Sequence, residues 1–105
     1  MYVVVWKYKI KSSERNEFET EYGLNGSWSA FFRRSQDFLG SKLFAGGNLT
    51  YLIIDAWDTR QAYENFLQRF RLEYELLSDQ FNYLFEEENR IGDFHEITGA
   101  LTTIL

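Results

Sequence analysis

Few side chains in this sequence can do chemistry at neutral pH. His95 is the only histidine, and therefore the only side chain whose unperturbed pKa lies near neutrality. It can act as a general base or stand as an ordinary strand residue at a subunit contact. Asp55 lies inside an otherwise apolar run, YLIIDAW (residues 51–57). A carboxylate there must be paired, protonated or set in a pocket wall, because an unpaired buried charge is costly. Arg90, Lys7 and Lys9 are its candidate partners. Arg90 is also a candidate for proton transfer or oxyanion stabilisation. Trp6, Trp28, Trp57, Tyr63 and Phe66 can form an aromatic slot for a flat ligand, with the Tyr63 hydroxyl donating to a ligand oxygen, or can simply fill the core.

Other chemistries are poorly supplied. Cysteine is absent, which removes disulfides, thiolate catalysis and thiolate metal sites. One histidine without cysteine offers little to a metal, so no metal site is expected. Glu86, Glu87 and Glu88 alternate faces on an extended chain and cannot converge on one ion; they read as a solvated stretch or as a guard against edge pairing. Gly46-Gly47 has no following Lys-Ser/Thr and precedes a strand, so it is a turn and not a phosphate loop. No nucleophile elbow is present. The net charge is -5 and the basic residues form no stripe, so nucleic acid is not an expected partner. No apolar run approaches the roughly 20 residues that span a bilayer, and residues 1–10 lack a basic leader. The expectation is a soluble, untargeted cytoplasmic protein without a membrane partner.

The elements that would position these residues follow from periodicity. Residues 2–11 read as a strand of β-formers, with Lys7, Lys9 and Lys11 on one side. A helix begins at Ser12 or Ser13 and ends at Gly23. Another follows Ser27 and is broken by Gly40. Residues 41–45 read as a strand, 46–48 as a hairpin turn, and 49–57 as a strand with no polar face: Leu52, Ile54 and Ala56 on one side, Tyr51, Ile53 and Trp57 on the other beside Asp55. Asp58 or Thr59 then caps an amphipathic helix carrying Ala62, Tyr63, Phe66, Leu67 and Phe70. A second helical pattern over 71–84 joins it without an evident break. Residues 85–97 return to a period of two, with a bulge expected at Gly92, and the apolar tail 98–105 reads as a possible dimer arm.

At 105 residues this is one domain over its whole length. Its order predicts an α+β, ferredoxin-like, antiparallel four-stranded sheet with helices on one face. Aromatics make up 19% of the chain, more than one small core readily hides, and the helices can cover only one side of the sheet. A second copy is the economical cover for the other side, making a homodimer.

The first strand with Trp6, the segment EFETEYG (17–23), the segment DAWDTRQAYENF (55–66) and the closing IGDF (91–94) together resemble the antibiotic biosynthesis monooxygenase-like family of dimeric α/β barrels. The resemblance implies a homodimer closing into a barrel, with one pocket per subunit between sheet and helices. It implies activity without a cofactor, as a monooxygenase acting on a small anthrone- or quinol-like aromatic, in which a base removes a proton and the resulting anion reduces oxygen itself. The pocket residues implied are Trp6, Asp55, Trp57, Tyr63 and Phe66, with His95 or Arg90 for proton transfer. The positions used by the family's haem-degrading branch fall on Trp6, Phe66 and Leu76, and all three depart from it. The other reading is a non-catalytic dimeric module that binds a small apolar ligand or a partner protein.

Overall fold

A computed structural model describes residues 1–100. Four strands, β1 (Tyr2–Ile10), β2 (Phe38–Ala45), β3 (Thr50–Trp57) and β4 (Phe85–His95), form one antiparallel sheet in the order β2-β3-β1-β4. The helices α1 (Arg15–Glu21), α2 (Ser27–Phe32), α3 (Arg60–Arg69) and α4 (Arg71–Phe81) supply Phe18, Phe31, Phe32, Phe66 and Phe81 to the buried core. These pack against the even-numbered residues of β1 and the odd-numbered residues of β3: Tyr2, Val4, Tyr8 and Ile10 with Tyr51, Ile53 and Trp57. This is the ferredoxin-like α+β arrangement that the element order predicts.

The opposite sheet face carries an apolar patch beside Lys7 and Lys9 that no described helix covers. Val3, Val5, Leu52, Ile54 and Ala56 are half-buried there, and Phe44 and Phe94 are 47% and 51% exposed. The alternation read in residues 51–57 is therefore real, with the Asp55 side turned toward the helices.

The helix start at Thr59 holds: its side-chain oxygen accepts from the Ala62 N–H at 3.0 Å. Two helices follow, separated at Phe70, whose φ of -112° and ψ of 30° leave the helical region.

Several boundaries differ from the sequence reading. The helix after Ser27 ends at Phe32, because the chain turns through Ser35, whose carbonyl accepts from the Phe38 N–H. Gly40 is thus inside β2, at a register shift and with φ of +131°, a conformation that glycine tolerates. The hairpin turn takes its positive φ at Asn48 and Leu49 rather than at the glycines, so β3 starts at Thr50. β4 ends at His95, short of Ile97. Residues 98–100 form no strand, and the rest of the expected dimer arm lies outside the described residues. No helix among the described residues is long and apolar enough to cross a membrane.

The expected bulge is present: Val5 pairs with Gly92 and Trp6 with Arg90, leaving Ile91 unpaired. A second irregularity leaves Glu86 unpaired, between the Lys9–Glu87 and Ile10–Phe85 pairs. These two slips bring Phe85, Glu88, Arg90, Asp93 and His95 opposite the even-numbered, helix-facing residues of β1, a set that strict alternation would have divided between the two faces.

Candidate functional site

Between the helix-facing side of the sheet and helices α2 and α4 lies a cavity of about 30 Å³. Trp6, Tyr8, Ile53, Asp55 and Glu88 line it from the sheet, Trp28 and Phe32 from α2, and Tyr74 and Ser78 from α4, with Tyr22 closing the circuit. It has room for one or two waters, since each needs about 10–15 Å³. A drug-sized ligand fills a pocket of roughly 300 Å³ or more, so such a ligand enters only if side chains of α2 or α4 move outward.

Asp55 is the chemically distinctive group on this wall. It is 9% exposed, and burial among apolar side chains pushes its pKa from 3.8 to about 6, with a hydrogen bond from Ser41 opposing the rise. That bond runs from the Ser41 hydroxyl to Asp55 Oδ1, made possible because Ser41 and Asp55 face each other across β2 and β3. The sequence candidates for its partner do not serve. Lys7 is on the opposite sheet face, as is Lys9, and Arg90 turns to Asp93, 3.7 Å away. Among the described residues no positive group compensates the buried carboxylate.

The remaining polar groups on the wall are hydroxyls, one carboxylate and two indoles. Tyr8 donates to Glu88 Oε2 at 2.8 Å, and burial followed by the Glu88 charge raises its pKa. Burial also raises Tyr74, with the charges of Tyr63, Glu88 and Asp55 adding to it. The Trp28 indole N–H is buried and makes no hydrogen bond, although it lies near enough to the Tyr22 hydroxyl to temper that group's burial-driven rise.

The residues singled out from sequence divide into three groups. Trp6, Trp28 and Asp55 are on the cavity wall. Trp57 is fully buried and close-packed behind it, with ring centroids of Phe38, Phe66, Phe32 and Tyr63 at 5.2, 5.2, 5.4 and 5.6 Å. Phe66 and Tyr63 share that cluster and do not line the cavity. Arg90 and His95 are exposed on β4, outside the cavity. The His95 ring is 5.2 Å from that of Tyr2, whose hydroxyl donates to Asp93 at 2.8 Å. Sequence reasoning missed Ser41, Tyr74, Ser78 and Glu88. Tyr74 carries one available signal, its three-residue spacing from Leu77 on an amphipathic helix, and Ser78 follows one turn later on the same helix; Ser41 and Glu88 depend on strand register. Among the described residues no cluster of three or more His, Asp or Glu side chains could hold a metal ion.

No protein-family model matches the chain, and no curated protein sequence matches it. Solved structures do match its shape. A variant of SnoaB, a cofactor-independent oxygenase from Streptomyces nogalater, superposes with a TM-score of 0.71 at 16% identity, over 93% of this chain and 94% of that one. A Streptomyces coelicolor monooxygenase, solved in complex with the ligand nanaomycin D, gives 0.70 at 15% identity, over 97% and 92%. An uncharacterized NIPSNAP domain protein from Burkholderia xenovorans gives 0.68 at 12% identity, over 97% and 100%. Further structures of this shape are described as antibiotic biosynthesis monooxygenases. The chain therefore has the antibiotic biosynthesis monooxygenase fold, as the sequence resemblance implies.

Proposed function

We propose that the protein is a cofactor-independent oxygenase of small, electron-rich aromatics of the anthrone or quinol type, working as a homodimer. The observation that carries this reading is Asp55: a buried carboxylate without a counter-charge, at the wall of an aromatic-lined cavity, with a pKa near the operating pH of a general base. In this reading Asp55 takes a proton from the substrate. The substrate anion gives its electrons to dioxygen, a carbon–oxygen bond forms, and loss of water from the resulting hydroperoxide leaves a carbonyl. Trp6 and Trp28 hold the aromatic plane, and the unpartnered Trp28 N–H is available to the substrate oxygen on which negative charge grows. Trp57, Tyr63 and Phe66 support the wall from behind. The uncovered apolar sheet face, from Val5 and Ile54 to Phe94, is the surface a second copy would bury.

Oxygen uptake with anthrone or a naphthoquinol tests the proposal. Wild-type protein should consume oxygen, and Asp55→Asn should lower the rate by about 100-fold, at the low end of general-base effects. Uptake unchanged in Asp55→Asn would refute the assignment. The second reading, a non-catalytic dimeric module that binds a small apolar ligand or a partner protein, predicts binding with no oxygen uptake.

A further inference from the structure

Asp55 and its hydrogen-bond donor border two different spaces. Asp55 lines the interior cavity, while Ser41 lines a separate, open groove of about 390 Å³ at the β2 edge, on the helix-facing side of the sheet. Glu19 and Leu24 of the α1 region and Tyr51 of β3 also line that groove. Ser41 is half-exposed, so a single hydroxyl separates a carboxyl group that solvent barely reaches from water outside.

We propose that Ser41 is the proton outlet of Asp55, passing protons between the buried carboxyl group and water in the outer groove. The inference rests on the reading of Asp55 as a base. Once Asp55 has accepted a proton, its carboxyl O–H donates to Ser41 Oγ while the Ser41 hydroxyl donates its own proton to a groove water. One O–H bond breaks and one forms at Ser41, and the net change is one proton moved from Asp55 to solvent. The edge position of β2 makes this possible, because no further strand among the described residues covers Ser41. The groups facing Asp55 from other elements are the hydroxyls of Tyr63 on α3 and Tyr74 on α4, whose own pKa values burial raises; neither is a better proton carrier near neutrality. On the groove side the nearby groups are Glu19, Tyr51 and Arg15, which are engaged with one another. Glu88 also lines the cavity but stands two strands away from Asp55, at the level of Tyr8.

The test compares Ser41→Ala, Ser41→Val and Ser41→Thr. Valine matches threonine in size without a hydroxyl, so packing and proton transfer are separated. The first readout needs no substrate: the Asp55 side-chain carboxyl carbon resonance, assigned by its absence in Asp55→Asn, is followed from pH 4 to 8. Wild type and Ser41→Thr should show one resonance that moves continuously, whereas Ser41→Ala and Ser41→Val should show separate protonated and deprotonated resonances in slow exchange. A continuously moving resonance in Ser41→Val, or slow exchange already in wild type, would overturn the proposal. In the oxygen-uptake assay Ser41→Ala and Ser41→Val should turn over about tenfold more slowly at saturating substrate, with recovery on adding small carboxylic acids such as formate. Absence of uptake in wild type would sink the oxygenase reading while leaving the resonance result to decide the outlet.

Discussion

Replacing Asp55 by asparagine should stabilise the protein, and do so in proportion to pH. Folded Asp55 holds its proton up to about pH 6, whereas the ordinary carboxyl of the unfolded chain releases it near 3.8. Between those values the folded state binds more protons, so stability falls as pH rises through the window and stays reduced above it. A shift of this size corresponds to about 3 kcal/mol at pH 7.5 and about 1 kcal/mol at pH 4.5. The amide that Asp55→Asn introduces would keep an oxygen to accept from Ser41 and would never carry the charge. Urea unfolding of both proteins at the two pH values measures this directly. Asp55→Asn should be the more stable at pH 7.5, and its advantage should shrink by about 2 kcal/mol at pH 4.5. An advantage that is the same at both pH values would mean that Asp55 titrates normally and that burial is not controlling it. The same substitution should lower activity by about 100-fold, so stability and function would move in opposite directions.

Three other substitutions test separate parts of the structure. Trp57→Ala, which empties the centre of the second aromatic cluster, should cost about 3–5 kcal/mol in the same unfolding assay; a loss under about 1 kcal/mol would show the cluster to be loosely packed. His95→Ala should leave oxygen uptake within about twofold of wild type, since His95 is exposed and outside the cavity; a loss approaching the general-base range of about 100-fold would return the base to His95. Ile54→Lys places a charge on the uncovered sheet face and should convert a dimer to a monomer in sedimentation velocity, with no loss of helical circular dichroism; a wild-type monomer would remove the proposed dimer.

Features set by local periodicity are readable from the residues. The doubly apolar strand ending at Trp57, the Thr59 cap and the bulge at Gly92 each depend on a few adjacent side chains. What cannot be read depends on alignment between distant segments. Ser41 meets Asp55 only through the β2–β3 register carried from the Ala45–Tyr51 pair at the hairpin, and the helix-facing set on β4 exists only because two slips intervene. Without that alignment, Arg90 and the β1 lysines stand as the natural partners for Asp55. The aromatic cluster around Trp57 is recognisable as a unit, but the spacing of Trp57, Tyr63 and Phe66 is the same whether they border a void or fill a core. The cavity instead uses Tyr74 and Ser78, one helix further along.

The unpaired Ile91 beside Gly92 also bears on how this sequence can change over generations. Gly92 sits at a φ of +155°, a conformation costly to any other residue. Ile91 acts as a frame shift within β4: removing one residue there would restore strict alternation and exchange inside for outside along everything to one side of the gap. Asp93 and His95 would then turn to the uncovered face, and Phe94 would be driven toward Tyr2 and Val4. Point substitutions at neighbouring exposed positions carry no such consequence, so β4 should accept changes of residue type far more readily than changes of length.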